Sequence, residues 1–446
     1  MKTTTSIFIL ILCFCLTAVG QTIPWIYQPT NEVHPLGNHY MEFQDYSGGM
    51  MSYYHDGIDI MSGYGQRPVF SCSDGVVTHI STGTMYGGIM IGDPVPGGEG
   101  WLYWHIPSST MQFGVGDSVY TGDFIGRVAT WSVYSFHHVH FNQVVGTGGY
   151  PWSWYESTDD PLDYLVPNDD DDPPFFHNAV PGQKFAFPQN NTSNYLSPAN
   201  LSGQIDIIAN IGDIVNDPEW PLNPYEIWYW INGPVSTNPV CSFIAAGWCP
   251  GDNTINVCYQ EDATCQTQGN YVVRDYYFNL TNTDGDSVIE LSDTDYSWNT
   301  EFFPGGDYWI FVEAKDQFGN STLDSMMVTL TGTGADISIS LTPLNPPVVI
   351  PAAGGSFDYT IEITNNGTAG LTFAGWIMVT LPDGSFYGPV ILASNIYLPA
   401  GGNLTRDRTQ FVPENAPPGD YYFNGLVGDY PGVIINEHGF DFVKEE

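Results

Sequence analysis

SFHHVHFNQV, residues 135–144, sets three imidazoles into a run of alternating character that reads as a β-strand. Side chains alternate across a strand, so His138 and His140 share one face while His137 and Val139 share the other. Two imidazoles on one face can aim at a single point. The HxH pattern is common by itself, so its meaning depends on partners elsewhere in the chain. Eight of the ten histidines lie between His34 and His140. That concentration points to metal or acid–base chemistry in this part of the chain.

The partners lie upstream. In YYHDGIDIM, residues 53–61, His55 and Asp59 flank Gly57, which permits a turn between them. An imidazole, a carboxylate and one of the later imidazoles would give Zn2+ three protein ligands and leave its fourth position open, the arrangement of a catalytic site. WLYWHIP, residues 101–107, places Tyr103 and His105 two apart on a strand-like segment and brings a further imidazole. Histidines that do not bind the metal can take a proton from water, hydrogen-bond an oxyanion or protonate a leaving amine. His34, His39, His79 and His137 are read as packed or exposed residues, with His34 or His39 alternatively on a segment crossing the groove.

HDGID, YWH and HVH occur in the order and rough spacing of the HxGxD, YxH and HxH motifs of the lysostaphin/LytM-type zinc metalloendopeptidases, which carry the duplicated-hybrid-motif fold. RPVFSCSDGVVTHI and VGDSVYTGDFIGRVAT resemble other stretches of that family, and the resemblance covers about residues 45–145. It implies that His55, Asp59 and His140 bind zinc and that His105 and His138 assist as acid–base or oxyanion-stabilising groups. It implies hydrolysis of peptide bonds, first among them peptidoglycan cross-links, with extracellular proteins as the other substrate class. Tyr46 lies near where some members place a tyrosine that stabilises the transition state. One departure is TWSVYSFH, residues 130–137, bulky where the family carries small residues, so a reshaped groove is expected. The rival reading is a non-catalytic cell-wall or extracellular binding protein with a peptidase-like domain.

The remaining sequence frames this site. Residues 1–20 have the basic start, apolar stretch and small-residue end of a signal peptide, so a secreted, extracellular or cell-envelope location is expected. No later apolar run is long enough to span a bilayer, so no stable membrane insertion is expected. Nine Lys plus Arg against 49 Asp plus Glu give a net charge of -40, which excludes nucleic acid as a partner. Residues 21–166 read as the peptidase domain and 167–174 as an acidic, Pro-containing linker. Alternating strands and turns then mark an immunoglobulin-like domain over 175–332 and a C-terminal β-sandwich over 333–446. The fold class expected is therefore mainly β, an antiparallel peptidase domain followed by two immunoglobulin-like sandwiches. Cys241, Cys249, Cys258 and Cys265 predict two disulfides pinning a long loop, while Cys72 reads as a buried free thiol. Residues 283–295 are acidic but lack the spaced ligands of an EF-hand and read as a solvated turn.

Overall fold

The computed structural model describes residues 22–45, 52–131, 136–147, 154–168, 170–215, 220–269 and 273–446. The expected signal peptide and Tyr46 lie outside them. The chain is mainly β, and almost all strand pairs are antiparallel, as the sequence predicts. Contacts divide it into two compact units, Met1–Pro35 with Ile60–Glu156 and Asp160–Asp169, and Leu36–Asp59 with Ser157–Asp159 and Asp170–Glu446. No helix among the described residues is long and apolar enough to cross a membrane.

The sheet that carries the histidines has seven strands: β1 (Ile58–Met61), β2 (Gly75–Ser81), β3 (Gly88–Gly92), β4 (Glu99–Trp104), β5 (Ser118–Val119), β6 (His138–Thr147) and β7 (Trp154–Asp159). Their order is β7-β6-β4-β3-β2-β5, with β1 paired to β6. β4 and β6 run antiparallel with Phe141 opposite Tyr103 and Asn142 opposite Leu102. Alternation then buries Tyr103, Val139 and Phe141 together. Trp101 stacks on Phe141 with ring centroids 5.0 Å apart. Cross-strand aromatic pairs of this kind fix register, because a slip by one residue would turn every buried side chain outward.

In the second unit, a four-stranded sheet joins Val240–Ile244, Glu226–Asn232, Pro304–Lys315 and Ser321–Thr333. A smaller sheet places Ile208–Gly212 against Phe175–His177, Phe185–Ala186 and Tyr277–Asn279. Farther along, a three-stranded and a five-stranded sheet share a core that includes Phe357, Tyr359, Ile377, Phe423 and Phe442. The limb Leu36–Asp59 belongs to this unit and contains a short hairpin in which Phe43 faces Tyr54. The Tyr259 ring packs on both Phe43 and Tyr54, and its hydroxyl donates to Met41 O at 2.8 Å. Tyr54 donates to Thr254 O at 2.9 Å. Gly269 passes so close that an added Cβ would collide with the Phe43 carbonyl, which explains why a residue without a side chain stands there.

The two expected disulfides are absent: Cys72, Cys241, Cys249, Cys258 and Cys265 are all free thiols. Disulfide formation needs paired Cβ atoms about 4 Å apart, and three of these thiols instead meet partners that are not cysteines. The Cys241 thiol donates to Phe243 O, the Cys265 thiol donates to Ala179 O, and Cys258 lies against Tyr54. Burial pushes the Cys241 and Cys265 thiols up to about 11 and the Cys258 thiol up to about 12. They act as small apolar core residues. Cys72 matches its expected character, fully buried with its thiol pushed up to about 12 by desolvation.

Candidate metal centre

The segment from His55 to β1 supplies two of the site's groups. His55 N donates to Glu42 O and Met41 N donates to His55 O, both at 2.8 Å, so the backbone around His55 is clamped in both directions. The His55 ring donates from Nδ1 to His39 O at 2.9 Å. That bond fixes the tautomer and leaves Nε2 as the lone-pair nitrogen, 3.2 Å from Asp59 Oδ1. The other carboxylate oxygen, Asp59 Oδ2, accepts a hydrogen bond from Asn38 Nδ2. Both side chains are buried, His55 at 5% and Asp59 at 2% exposure.

Strand β6 supplies the next groups, and His55, Asp59 and His140 come together with ligand atoms within 4.8 Å of one another. Two imidazoles and one carboxylate suit zinc, and three protein ligands leave a coordination position open. The tautomer fixed by His39 O and the Asp59 carboxylate oriented by Asn38 suit such an ion, which requires ligands held in place. His138 stands two residues before His140 on the same strand, its Nδ1 bound to Phe136 O at 3.0 Å, which again fixes the tautomer. Phe136 and Trp131 cover its ring, the latter stacked at 5.2 Å.

His105 arrives by a route that strand alternation does not foresee. Alternation puts a residue two beyond Tyr103 on the same, buried face of β4, where the Tyr103 hydroxyl donates to the Cys72 thiol at 3.0 Å. β4 ends at Trp104, and His105 has φ +63°, a left-handed conformation uncommon for a residue with a side chain. This turn redirects the ring to the histidine face, 4.6 Å from His138 and 6.4 Å from His140 between centroids. His105 Nδ1 is held by Met85 O at 2.9 Å. The backbone strain is anchored by Ala129 N, which donates to His105 O at 2.7 Å.

The other histidines are occupied elsewhere. His34 is buried against Trp25 and Tyr27, and desolvation lowers its pKa. His79 pairs with Ser81, and His137 Nδ1 accepts from Trp131 N. His39 is buried with its ring nitrogens 3.1 Å from Asn223 Oδ1 and 3.2 Å from Gln317 Oε1. Asn38 was not singled out by sequence reading, and no short motif would have marked it. Its approach to Asp59 depends on a fold contact 21 residues apart in the chain.

Comparison with known proteins agrees with this geometry in one region. The sequence profile of peptidase family M23 matches residues 53–149. Among solved structures, the chain is similar to the antimicrobial peptidase lysostaphin from Staphylococcus simulans at 15% identity, covering 58% of this chain and 91% of that one, with a TM-score of 0.24. A putative peptidase M23 from Pseudomonas aeruginosa is matched at 15% identity over 33% of this chain, with a TM-score of 0.19, and this chain spans only 55% of its length. The CARDB domain of the PF1109 protein from Pyrococcus furiosus is matched at 16% identity over 25% of this chain and 94% of that one, with a TM-score of 0.20. No curated protein matches the chain. Residues 53–149 thus form a domain of peptidase family M23, the lysostaphin/LytM-type family.

Proposed function

We propose that this chain is a secreted, zinc-dependent metalloendopeptidase whose foremost substrates are the peptide cross-links of peptidoglycan. The observation that supports this reading above others is the convergence of His55, Asp59 and His140 beside two further imidazoles. In this reading His55, Asp59 and His140 would hold the zinc. When bound, the ion supplies Lewis acidity, polarising the scissile carbonyl and making water more acidic.

The chain's own residues do the rest. His105 and His138 each have Nδ1 committed to a backbone carbonyl, so proton transfer would run through Nε2. One ring takes a proton from the attacking water while the other hydrogen-bonds the developing oxyanion, and the acquired proton passes to the leaving amine. Trp131 and Phe136 wall the His138 side of the site and limit access of bulk water. The signal peptide over 1–20 and the accessory β domains over 175–332 and 333–446 complete the proposal, the latter as modules with no catalytic set of their own.

The test is release of new amino groups from purified peptidoglycan and from a glycine-rich extracellular protein, with His140→Ala as the comparison. Cleavage by the parent and none by the variant supports the reading, and the better substrate decides the class. If the parent cuts neither, the domain binds wall or extracellular peptides without hydrolysing them.

A further inference from the structure

Residues 36–42, LGNHYME, touch both candidate ligands contributed by the first motif. Gly37 N donates to Asp59 O at 2.7 Å, and Asp59 N donates to Asn38 O at 2.9 Å. Asn38 Nδ2 holds Asp59 Oδ2, while His39 O holds the His55 ring and Glu42 O holds the His55 amide. With the bond from Met41 N to His55 O, six hydrogen bonds therefore fix the direction in which a carboxylate and an imidazole face the metal position. The Asn38 side-chain oxygen is buried without a hydrogen-bond partner. Such an orphan is costly, and its retention is explained if the amide is turned to give its donor to Asp59.

The cradle is itself held from the immunoglobulin-like region of the same unit. Asn223 Nδ2 donates to Tyr40 O at 3.2 Å, which orients that amide so that its oxygen accepts from His39 Nδ1. Gln317 closes on the other His39 nitrogen. The Glu42 carboxyl accepts from His39 N at 3.0 Å and lies 3.5 Å from Arg274 Nη1, a pair shielded from water on both sides. Tyr40 donates to Gly247 O at 2.7 Å. His39, Tyr40 and Glu42 of the cradle are thus bonded to residues between 223 and 317.

We propose that Asn38 is a positioning residue for Asp59, and that Asn223 and Arg274 are positioning residues for the cradle that presents His55 and Asp59. The immunoglobulin-like region is on this account a structural part of the metal centre, beyond any binding role of its own. Hydrogen-bonding partners of metal ligands raise affinity by holding ring and carboxylate in the bound orientation, and their loss costs about 10–100-fold in metal affinity. The inference rests on reading His55, Asp59 and His140 as zinc ligands.

The test is zinc affinity of the full chain by competition with a chromophoric chelator, together with the visible spectrum of the Co2+-loaded protein. The variants are Asn38→Ala, Asn223→Ala, Arg274→Lys and His140→Ala. Asn365→Ala serves as control, because it removes four buried or part-buried hydrogen bonds in the C-terminal sandwich and touches nothing in the cradle. The expected result is about 10–100-fold weaker zinc binding in Asn38→Ala and a loss in the same direction in Asn223→Ala, each with an altered Co2+ spectrum, while Asn365→Ala binds as the parent does. Arg274→Lys, which keeps the charge beside Glu42, retains most of the affinity and shows whether a folded cradle variant is available if Asn38→Ala fails to fold. If the parent binds zinc, His140→Ala does not, and Asn38→Ala and Asn223→Ala bind as tightly as Asn365→Ala, the positioning proposal is overturned and the ligand reading survives. If the parent binds no zinc, both fall together.

Discussion

His105 shows how much one backbone angle decides at the level of single residues. Its φ of +63° is the reason an imidazole two residues beyond a buried tyrosine in sequence stands beside His138 in space. Asparagine tolerates that conformation better than most residues, whereas β-branched side chains do not. His105→Asn is therefore expected to keep the local fold and zinc binding while kcat falls about 10²–10⁴-fold, the span of a lost acid–base group. His105→Val should lose stability as well, and thermal melts beside kcat separate the two. Equal melting temperatures for the Asn and Val variants would remove the strain argument. The ligand candidates were legible because HxGxD and HxH are compact and directional. The second rank was not: Asn38 and His39 gain their roles from contacts with Asp59 and Asn223 that no local spacing records.

At the scale of elements, the hairpin leading to His55 depends on a glycine more than 200 residues away. Gly269 leaves no room for a methyl group against the Phe43 carbonyl, so Gly269→Ala must displace that strand. Overpacking of this kind costs about 1–3 kcal/mol, and the displacement is carried along the hairpin toward His55. The expected outcome is a lower unfolding midpoint in denaturant together with weaker zinc binding. A lower midpoint with unchanged zinc affinity would show that the hairpin does not govern the ligand. Strands with alternating apolar residues, such as DYWIFVEAK within Pro304–Lys315, were readable from their period of two. The cysteine-containing loop departs from expectation: spacing and an expected oxidising compartment said disulfide, while Cys241 and Cys265 donate to backbone carbonyls and Cys258 lies against Tyr54.

For the whole molecule, the acidic balance sets the response to pH and salt. Burial pushes the carboxyl groups of Asp213 and Asp429 up to about 7 and that of Asp206 up to about 6. A carboxyl whose pKa is raised on folding binds its proton more tightly in the folded chain. It contributes stability that is fully present below the unfolded pKa and is lost as pH rises through the folded value. Between about pH 4 and 7 these groups make stability fall as pH rises, and self-repulsion at a net charge of -40 acts in the same direction. Scanning calorimetry of the metal-free chain should show a higher Tm at pH 5.5 than at pH 7.5, with added salt narrowing the gap. A Tm that rises with pH would contradict this balance. The central claim is that His55, Asp59 and His140 make one metal centre with His138 beside it but not bound to it. Zinc per chain, measured by mass spectrometry after equilibrium dialysis of the parent, His140→Ala and His138→Ala, tests it most directly. The account predicts one zinc in the parent and in His138→Ala and none in His140→Ala, whereas a parent without zinc, or a His140→Ala chain that keeps it, would contradict the account.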